Sequence, residues 1–210
     1  MLEVFTIGHS TQPLEKFIAL LRRHEISAIG DVRSAPYSRH NPQFNRESLR
    51  ASLKQELVSY VFLGKELGAR SEEECCYVHN KVSYQRLAET DLFKDGIKRV
   101  IDGARKYRIA LMCAEKDPLD CHRTILVSRE LVKDGVKVTH ILQNGALEAH
   151  DEAISRLVGR LRIGDEDMFR PRETVVALAY QMQGQLIAYD RSAVPTRYND
   201  TVTEESESPQ

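Results

Sequence analysis

Short apolar runs rich in β-branched residues alternate along this chain with stretches whose apolar residues recur at helical spacing, and this alternation restricts the fold more than any other feature. Glu3–Ile7, Ala28–Val32, Val58–Leu63, Arg108–Cys113 and Val136–Leu142 read as strands. Between them, Pro13–His24 carries Leu14, Phe17, Ile18, Leu20 and Leu21 on one face, with Thr11 as its N-cap. Arg46–Gln55 is a helix with Leu49 and Leu53 inward, and Leu92–Tyr107 is another with Phe93, Ile97, Val100, Ile101 and Ala104 inward. Gly64–Tyr84 reads as irregular, and a helix over Cys121–Asp134 ends at Gly135, where a left-handed residue belongs. Parallel neighbours need crossovers, and crossover helices cover the sheet. The expected fold is therefore α/β: a Rossmann-like, mostly parallel sheet with helices on both faces. Right-handed crossovers place all the strand-to-helix loops at one edge of that sheet.

The 210 residues, 41% of them hydrophobic, suffice for one domain with appendages. Residues 1–145 form the α/β domain in this reading, and residues 146–195 a helical C-terminal extension packing on it through helices at Leu147–Leu161 and Glu173–Leu186. Residues 196–210, polar and acidic, are expected to be a disordered tail. Between the two helices, Asp167-Met168-Phe169 weakly resembles the acidic-Leu-Phe peptides that bind the bacterial sliding clamp, so Met168 and Phe169 are a candidate contact for such a partner. Docking on the core is the commoner use of two such side chains. A net charge of -1 gives no global pull toward nucleic acid or a membrane surface, and no apolar run approaches the ~20 residues that cross a bilayer. The first residues enter a strand pattern without the basic start of a signal peptide, which makes the cytoplasm the expected location. The four cysteines, Cys75, Cys76, Cys113 and Cys121, do not form a secreted disulfide framework.

Chemistry concentrates between Cys113 and Arg123, where Cys113, Glu115, Cys121, His122 and Arg123 fall in eleven consecutive positions. An apolar strand ends at Cys113, a Pro-containing loop follows, and a helix starts after Asp120. The loop after the first strand holds Gly8, His9 and Ser10, and the loop after the second holds Asp31 and Arg33, so three distant segments should meet in one cleft. With Asp120 as N-cap, Cys121, His122 and Arg123 occupy a helix first turn, where free backbone N–H groups favour anions and lower a thiol pKa. Cys121 is then the candidate nucleophile. His122 and Glu115 would exchange protons, Arg123 and Arg33 would hold an anion, and His9 and Asp31 would orient the substrate. The Cys-to-Arg step, nine intervening residues from Cys113 and one from Cys121, is not that of the cysteine phosphatases.

Other readings use the same residues. Cys113, Cys121 and His122 could ligate zinc or iron, although no cofactor motif is evident and no Cys-x-x-Cys pair is present. Cys113 and Cys121 could form a reversible disulfide if their Cα atoms lie about 4.4 to 6.8 Å apart. A bland reading makes Cys113 a small buried hydrophobe, His140 a satisfied core histidine, and Asp31–Arg33 and Glu115–Arg123 ordinary ion pairs.

Arg33, Arg39, Arg46, Arg50 and Lys54 face only Glu47 in the segment after the second strand, with Tyr37, His40 and Phe44 interleaved. Cations among stacking surfaces suit a phosphate-bearing ligand, a nucleotide or a nucleic-acid strand. Arg33, Arg39, Tyr37 and Ser10, with Arg123, are the candidate substrate-binding residues. The reading from a different class is a non-catalytic nucleic-acid-binding module.

Thr6-Ile7-Gly8-His9-Ser10, Asp31-Val32-Arg33 followed by Pro36 and Ser38, Leu63-Gly64 with Leu67-Gly68, Cys76-Tyr77 before Tyr84, the Cys113/Glu115/Cys121-His122-Arg123 block and Val138-Thr139-His140-Ile141 together resemble the bacterial and archaeal family called domain of unknown function 488. The resemblance spans about residues 3–145. It implies a cytoplasmic Rossmann-like α/β domain whose polar motifs suggest an enzyme, and it names no reaction.

Overall fold

The computed structural model describes residues 2–163 and 171–193. Its elements run β1 (Glu3–Gly8), α1 (Leu14–Arg23), β2 (Ala28–Asp31), α2 (Arg46–Gln55), β3 (Ser59–Phe62), α3 (Gly64–Leu67), β4 (Tyr77–Val78), β5 (Lys81–Val82), α4 (Tyr84–Glu89), α5 (Asp91–Ala104) and β6 (Ile109–Cys113). A π-helical turn, Arg123–Ser128, then leads into α6 (Arg129–Lys133), followed by β7 (Lys137–Ile141), β8 (Leu147–Ala149), α7 (His150–Leu161) and α8 (Arg172–Ile187).

Six strands form one sheet in the order β3-β2-β6-β1-β7-β8, and all the pairings are parallel except β7 with β8. The expected α/β class is present, a mostly parallel sheet covered on both faces. Its strand order places β6 between β1 and β2. Period-two alternation sorts the side chains. Phe5, Ile7, Ile29, Ala110 and Met112 face α1 and α2, where Phe17, Leu21, Leu49 and Leu53 meet them. Val4, Ala28, Ile109, Leu111 and Cys113 face α3 to α6, against Leu67, Leu87, Phe93, Val100 and Leu131. Each such fully buried aliphatic or aromatic side chain contributes roughly 1.5–3 kcal/mol relative to exposure.

Several local expectations are corrected. Thr11 does not cap α1; Pro13 holds that position without a side-chain cap, its fixed φ leading into the helix. Within Gly64–Tyr84 lie α3 and the β4–β5 hairpin, stretches too short for periodicity to register. The helix α4 precedes α5, separated by Thr90, whose hydroxyl caps α5 by accepting from Phe93 N at 3.2 Å. Leu147–Ala149 are not helical: they pair antiparallel with β7 across a turn at Gly145 (φ 80°), so the sheet runs past residue 145. The helix α7 starts at His150, where Glu152 accepts from Ala149 N at 3.0 Å. Gly135 does sit in the left-handed region, at φ 76°.

The helices α7 and α8 close a third cluster of Ala153, Ile154, Leu157, Ala179 and Tyr180 around Leu119 and Ile125. Met168 and Phe169, the candidate clamp contact, and the tail at 196–210 lie outside the described residues. No helix among those described is long and apolar enough to cross a membrane.

Candidate functional site

Strand register decides which residues meet. Gly8 of β1 is level with Cys113 of β6, and Asp31 of β2 with Met112, so the three strands end together. The β1–β6 pairing continues past the strand ends, with His9 N donating to Cys113 O (3.0 Å) and Ser10 N to Ala114 O (2.8 Å). This requires a residue without a side chain at position 8. A Cβ there would stand 1.9 Å from the Glu115 carbonyl oxygen and 3.1 Å from the Arg123 guanidinium. Gly8→Ala is accordingly expected to destabilise the fold by about 3 kcal/mol, because backbone rather than a pliable side chain has to move. Chemical denaturation would check this, and a loss below about 1 kcal/mol would show that the loops do not approach as closely as described.

The loop from Ala114 to Asp120 is held by the C-terminal helices. Arg156 donates to both Asp117 oxygens (2.9 and 3.1 Å), Arg160 to Asp120 (2.6 Å), and the buried Gln183 to the Leu119 carbonyl (2.9 Å). Asp117 caps a 3₁₀ turn over Pro118–Asp120 by accepting from Leu119 N at 2.9 Å. Asp120, expected to cap the next helix, ends that turn instead. Cys121 has extended backbone (φ -137°, ψ 140°), its carbonyl accepts from Thr124 N and Ile125 N, and its sulfur accepts from Arg123 N at 3.4 Å. The thiol itself is thus the N-cap, one position later than the sequence suggested.

Around it stands a cluster in which Cys113, Cys121 and His122 are all buried, with potential ligand atoms within 4.8 Å of one another. His122 Nδ1 lies 3.8 Å from each sulfur, while its Nε2 donates to Val32 O at 3.0 Å. Glu115 is exposed as a residue, yet its Oε2 turns inward to 3.0 Å from Cys121 Sγ. Burial alone would push the Cys121 thiol up, but a hydrogen bond from Cys113 and the charges of Arg123 and His122 hold it well below the ordinary thiol range. Burial, and then the Cys121 charge, push Cys113 far up. Glu115 is raised by burial and by Cys121. His122 is raised because Cys121 outweighs its desolvation. Cys121 and His122 are thus pushed toward their charged forms, and Cys113 and Glu115 toward their neutral ones.

Arg123 is 1% exposed and donates through Nη1 to Glu115 O at 3.0 Å. Its Nε has no hydrogen-bond partner among the described residues, an uncommon state for a buried charged group.

The residues Asp31, Arg33 and His9 form a second, adjoining network. Arg33 grips Asp31 through Nε (2.9 Å) and Nη2 (2.6 Å), donates to Phe44 O (2.9 Å), and donates through Nη1 to His9 Nε2 at 3.1 Å. His9 stacks on Phe44 at 4.3 Å and donates from Nδ1 to Ser10 O at 2.8 Å. Burial, with Arg33 beside it, pushes the imidazole down to about 4, so both of its nitrogens are committed and it is neutral at pH 7. Arg33, expected to hold a substrate anion, is largely occupied by protein acceptors. Ser10 is half-buried with φ 47° and shapes the turn through its backbone. Tyr37 and Arg39 are exposed on the loop after β2.

Tyrosines were missed as site residues. Tyr60 donates to Asp31 Oδ2 at 2.7 Å, and burial followed by the Asp31 charge raises its pKa. Tyr84 stands close enough to the cluster for burial and then Cys121, Cys113 and Glu115 to raise its pKa. A groove of about 1000 Å³ between α4, the π turn, α6 and α8 has Tyr84 in its wall, and none of the cluster's sulfur or imidazole groups lines it. His140 is a core histidine, bonded to Thr6 Oγ1 at 2.7 Å and to His150 at 3.1 Å.

Sheet and site define a class: a mostly parallel α/β protein with a cysteine-histidine cluster at the carboxyl ends of its strands. The chain belongs to the family described as Domain of unknown function DUF488, which matches residues 13–129. The match begins just after Gly8-His9-Ser10 and ends inside α6, so the extension that grips the site loop lies outside it. No curated protein and no solved structure matches the chain.

Proposed function

We propose that this chain is an enzyme acting on a phosphate-bearing substrate, a small molecule, nucleotide or nucleic acid, with the Cys121 thiolate at its reacting centre. The observation that carries this reading is Arg123: a guanidinium 1% exposed, beside Gly8 and the Cys121 N-cap, bonded to a single carbonyl with Nε unpartnered. Burying a cation with donors unused is costly, and a phosphate oxygen would complete it. In this reading Glu115, the member that reaches solvent, handles protons at the entrance. His9, Asp31 and Arg33 position the loops.

The test is a panel of phosphomonoesters, phosphodiesters, nucleotides and short single-stranded oligonucleotides, run on wild type, Cys121→Ser and Arg123→Gln. Turnover of one class is expected, reduced by at least about 100-fold in Cys121→Ser and with weakened substrate binding in Arg123→Gln. If no class is turned over and oligonucleotides bind wild type and Cys121→Ser alike, the exposed Tyr37 and Arg39 loop makes the chain a binding module and the enzyme reading falls.

A further inference from the structure

We propose that Cys113 Sγ, Cys121 Sγ and His122 Nδ1 bind one zinc-class divalent cation, leaving a fourth position that faces Glu115. This rests on the reading of the cluster as the reacting centre and names what that centre holds.

Three observations carry it. The imidazole nitrogen lies 3.8 Å from both sulfurs, and all three atoms fall within 4.8 Å of one another. Ligand atoms around one tetrahedral zinc, at ~2.3 Å for sulfur and ~2.0–2.1 Å for nitrogen, sit about 3.5–3.8 Å apart. The two sulfur–nitrogen edges of the triangle are within a few tenths of an ångström of that spacing. The other ring nitrogen of His122 is fixed on the Val32 carbonyl at 3.0 Å, which turns Nδ1 toward the sulfurs. Metal-bound histidines are held this way, their second N–H given to a carbonyl or carboxylate. Cys121 also accepts a backbone N–H from Arg123, a bond that favours a thiolate over a thiol.

Charge completes the case. Two thiolates and the Glu115 carboxylate balance a dication and the Arg123 guanidinium, so the ion-bound set carries no net charge. Soft sulfur with imidazole selects zinc over magnesium or calcium. Binding releases the thiol protons to solvent, so uptake weakens as pH falls. Three protein ligands and one open position are the pattern of zinc sites that act on substrate, not of closed structural ones. The triplet of Glu73, Cys75 and Cys76 lacks an imidazole, and two of its members are exposed; it serves as an internal control.

The experiment uses the full chain, purified under reducing conditions and stripped with chelator. Titration with cobalt(II) should give one equivalent bound, tetrahedral d–d bands, and sulfur-to-cobalt charge-transfer absorption with the intensity of two thiolates. Cys121→Ser and Cys113→Ser should each roughly halve that absorption and weaken binding by about 100-fold or more, whereas Cys75→Ser should leave both unchanged. The wild-type spectrum alone keeps the idea falsifiable if a variant fails to fold. Absence of the charge-transfer band, or a band that survives in the Cys113/Cys121 double serine variant, overturns the site. Cys121-dependent turnover by metal-free protein would also overturn it while sparing the proposed function. Cobalt bound as described, with no phosphate substrate turned over, would leave the metal site standing and sink the substrate class.

Discussion

Asp31→Ala is expected to lower the unfolding free energy by about 3–5 kcal/mol, because it strands the Arg33 guanidinium in the interior without its carboxylate. Asp31 is fully buried and Arg33 nearly so, and the pair is bidentate, with Tyr60 and the Arg33 backbone N–H adding bonds to the same carboxylate. The loss should exceed that of Tyr60→Phe, which removes one neutral donor and should cost about 1 kcal/mol. Chemical denaturation at neutral pH compares the two variants. Equal, small losses in both would mean that Arg33 finds water or another acceptor and that the pair does not anchor the loop after β2.

Acidification from pH 6.5 to about 4 is expected to remove more stability than the chain's carboxylates alone explain. Thr6, His140, His150 and Tyr180 form one buried hydrogen-bonded line from β1 through β7 and α7 to α8, at 2.7, 3.1 and 2.7 Å. Each imidazole gives one N–H and receives one bond, so a proton added to the nitrogen that accepts between the two rings sets two N–H groups against each other. Burial pushes His150 down to about 4 and holds His140 well below the ordinary imidazole range, with the neighbouring His150 and Arg123 adding to the latter. The unfolded chain takes up these protons near pH 6.5 and the folded chain does not, so stability is constant above that pH and falls as pH drops toward 4. For His150 alone the loss is on the order of 3 kcal/mol across that window. His150→Asn should flatten the curve of unfolding midpoint against pH. A wild-type curve as flat as the variant's would refute the assignment.

Much of the scaffold was legible because it rests on local chemistry. The helix α2 begins and ends where Leu49 and Leu53 place it, and β1 and β6 follow their apolar runs. Convergence of the three loops could be read from right-handed crossovers, but the position of β6 between β1 and β2 could not, since strand order follows from how helices pack and leaves no mark in a single sequence. The start of the helix after Cys113 was misread by one residue because Asp120 is the better intrinsic cap; Arg160 and Gln183, far away in sequence, draw its carboxylate elsewhere. The same limit hid the engagement of Arg33, whose partners Phe44 and His9 are remote in sequence, and the contribution of Tyr60 and Tyr84. Leu147–Ala149 went unrecognised as a strand because three residues are too few to show alternation.

The π turn at Arg123–Ser128 sets the angle between the core and the site. An α-helix couples the angular position of every residue to every other, so a helix whose Leu126, Val127 and Leu131 are set by the core would also dictate where Cys121, His122 and Arg123 point. One residue inserted as a π turn, with Ser128 Oγ donating to Arg123 O at 2.7 Å across it, offsets the two ends by about 100° of rotation. The turn works like a fixed gear between scaffold and chemistry: Leu126, Val127 and Leu131 meet the core at one angle while the sulfur, imidazole and guanidinium are presented at another.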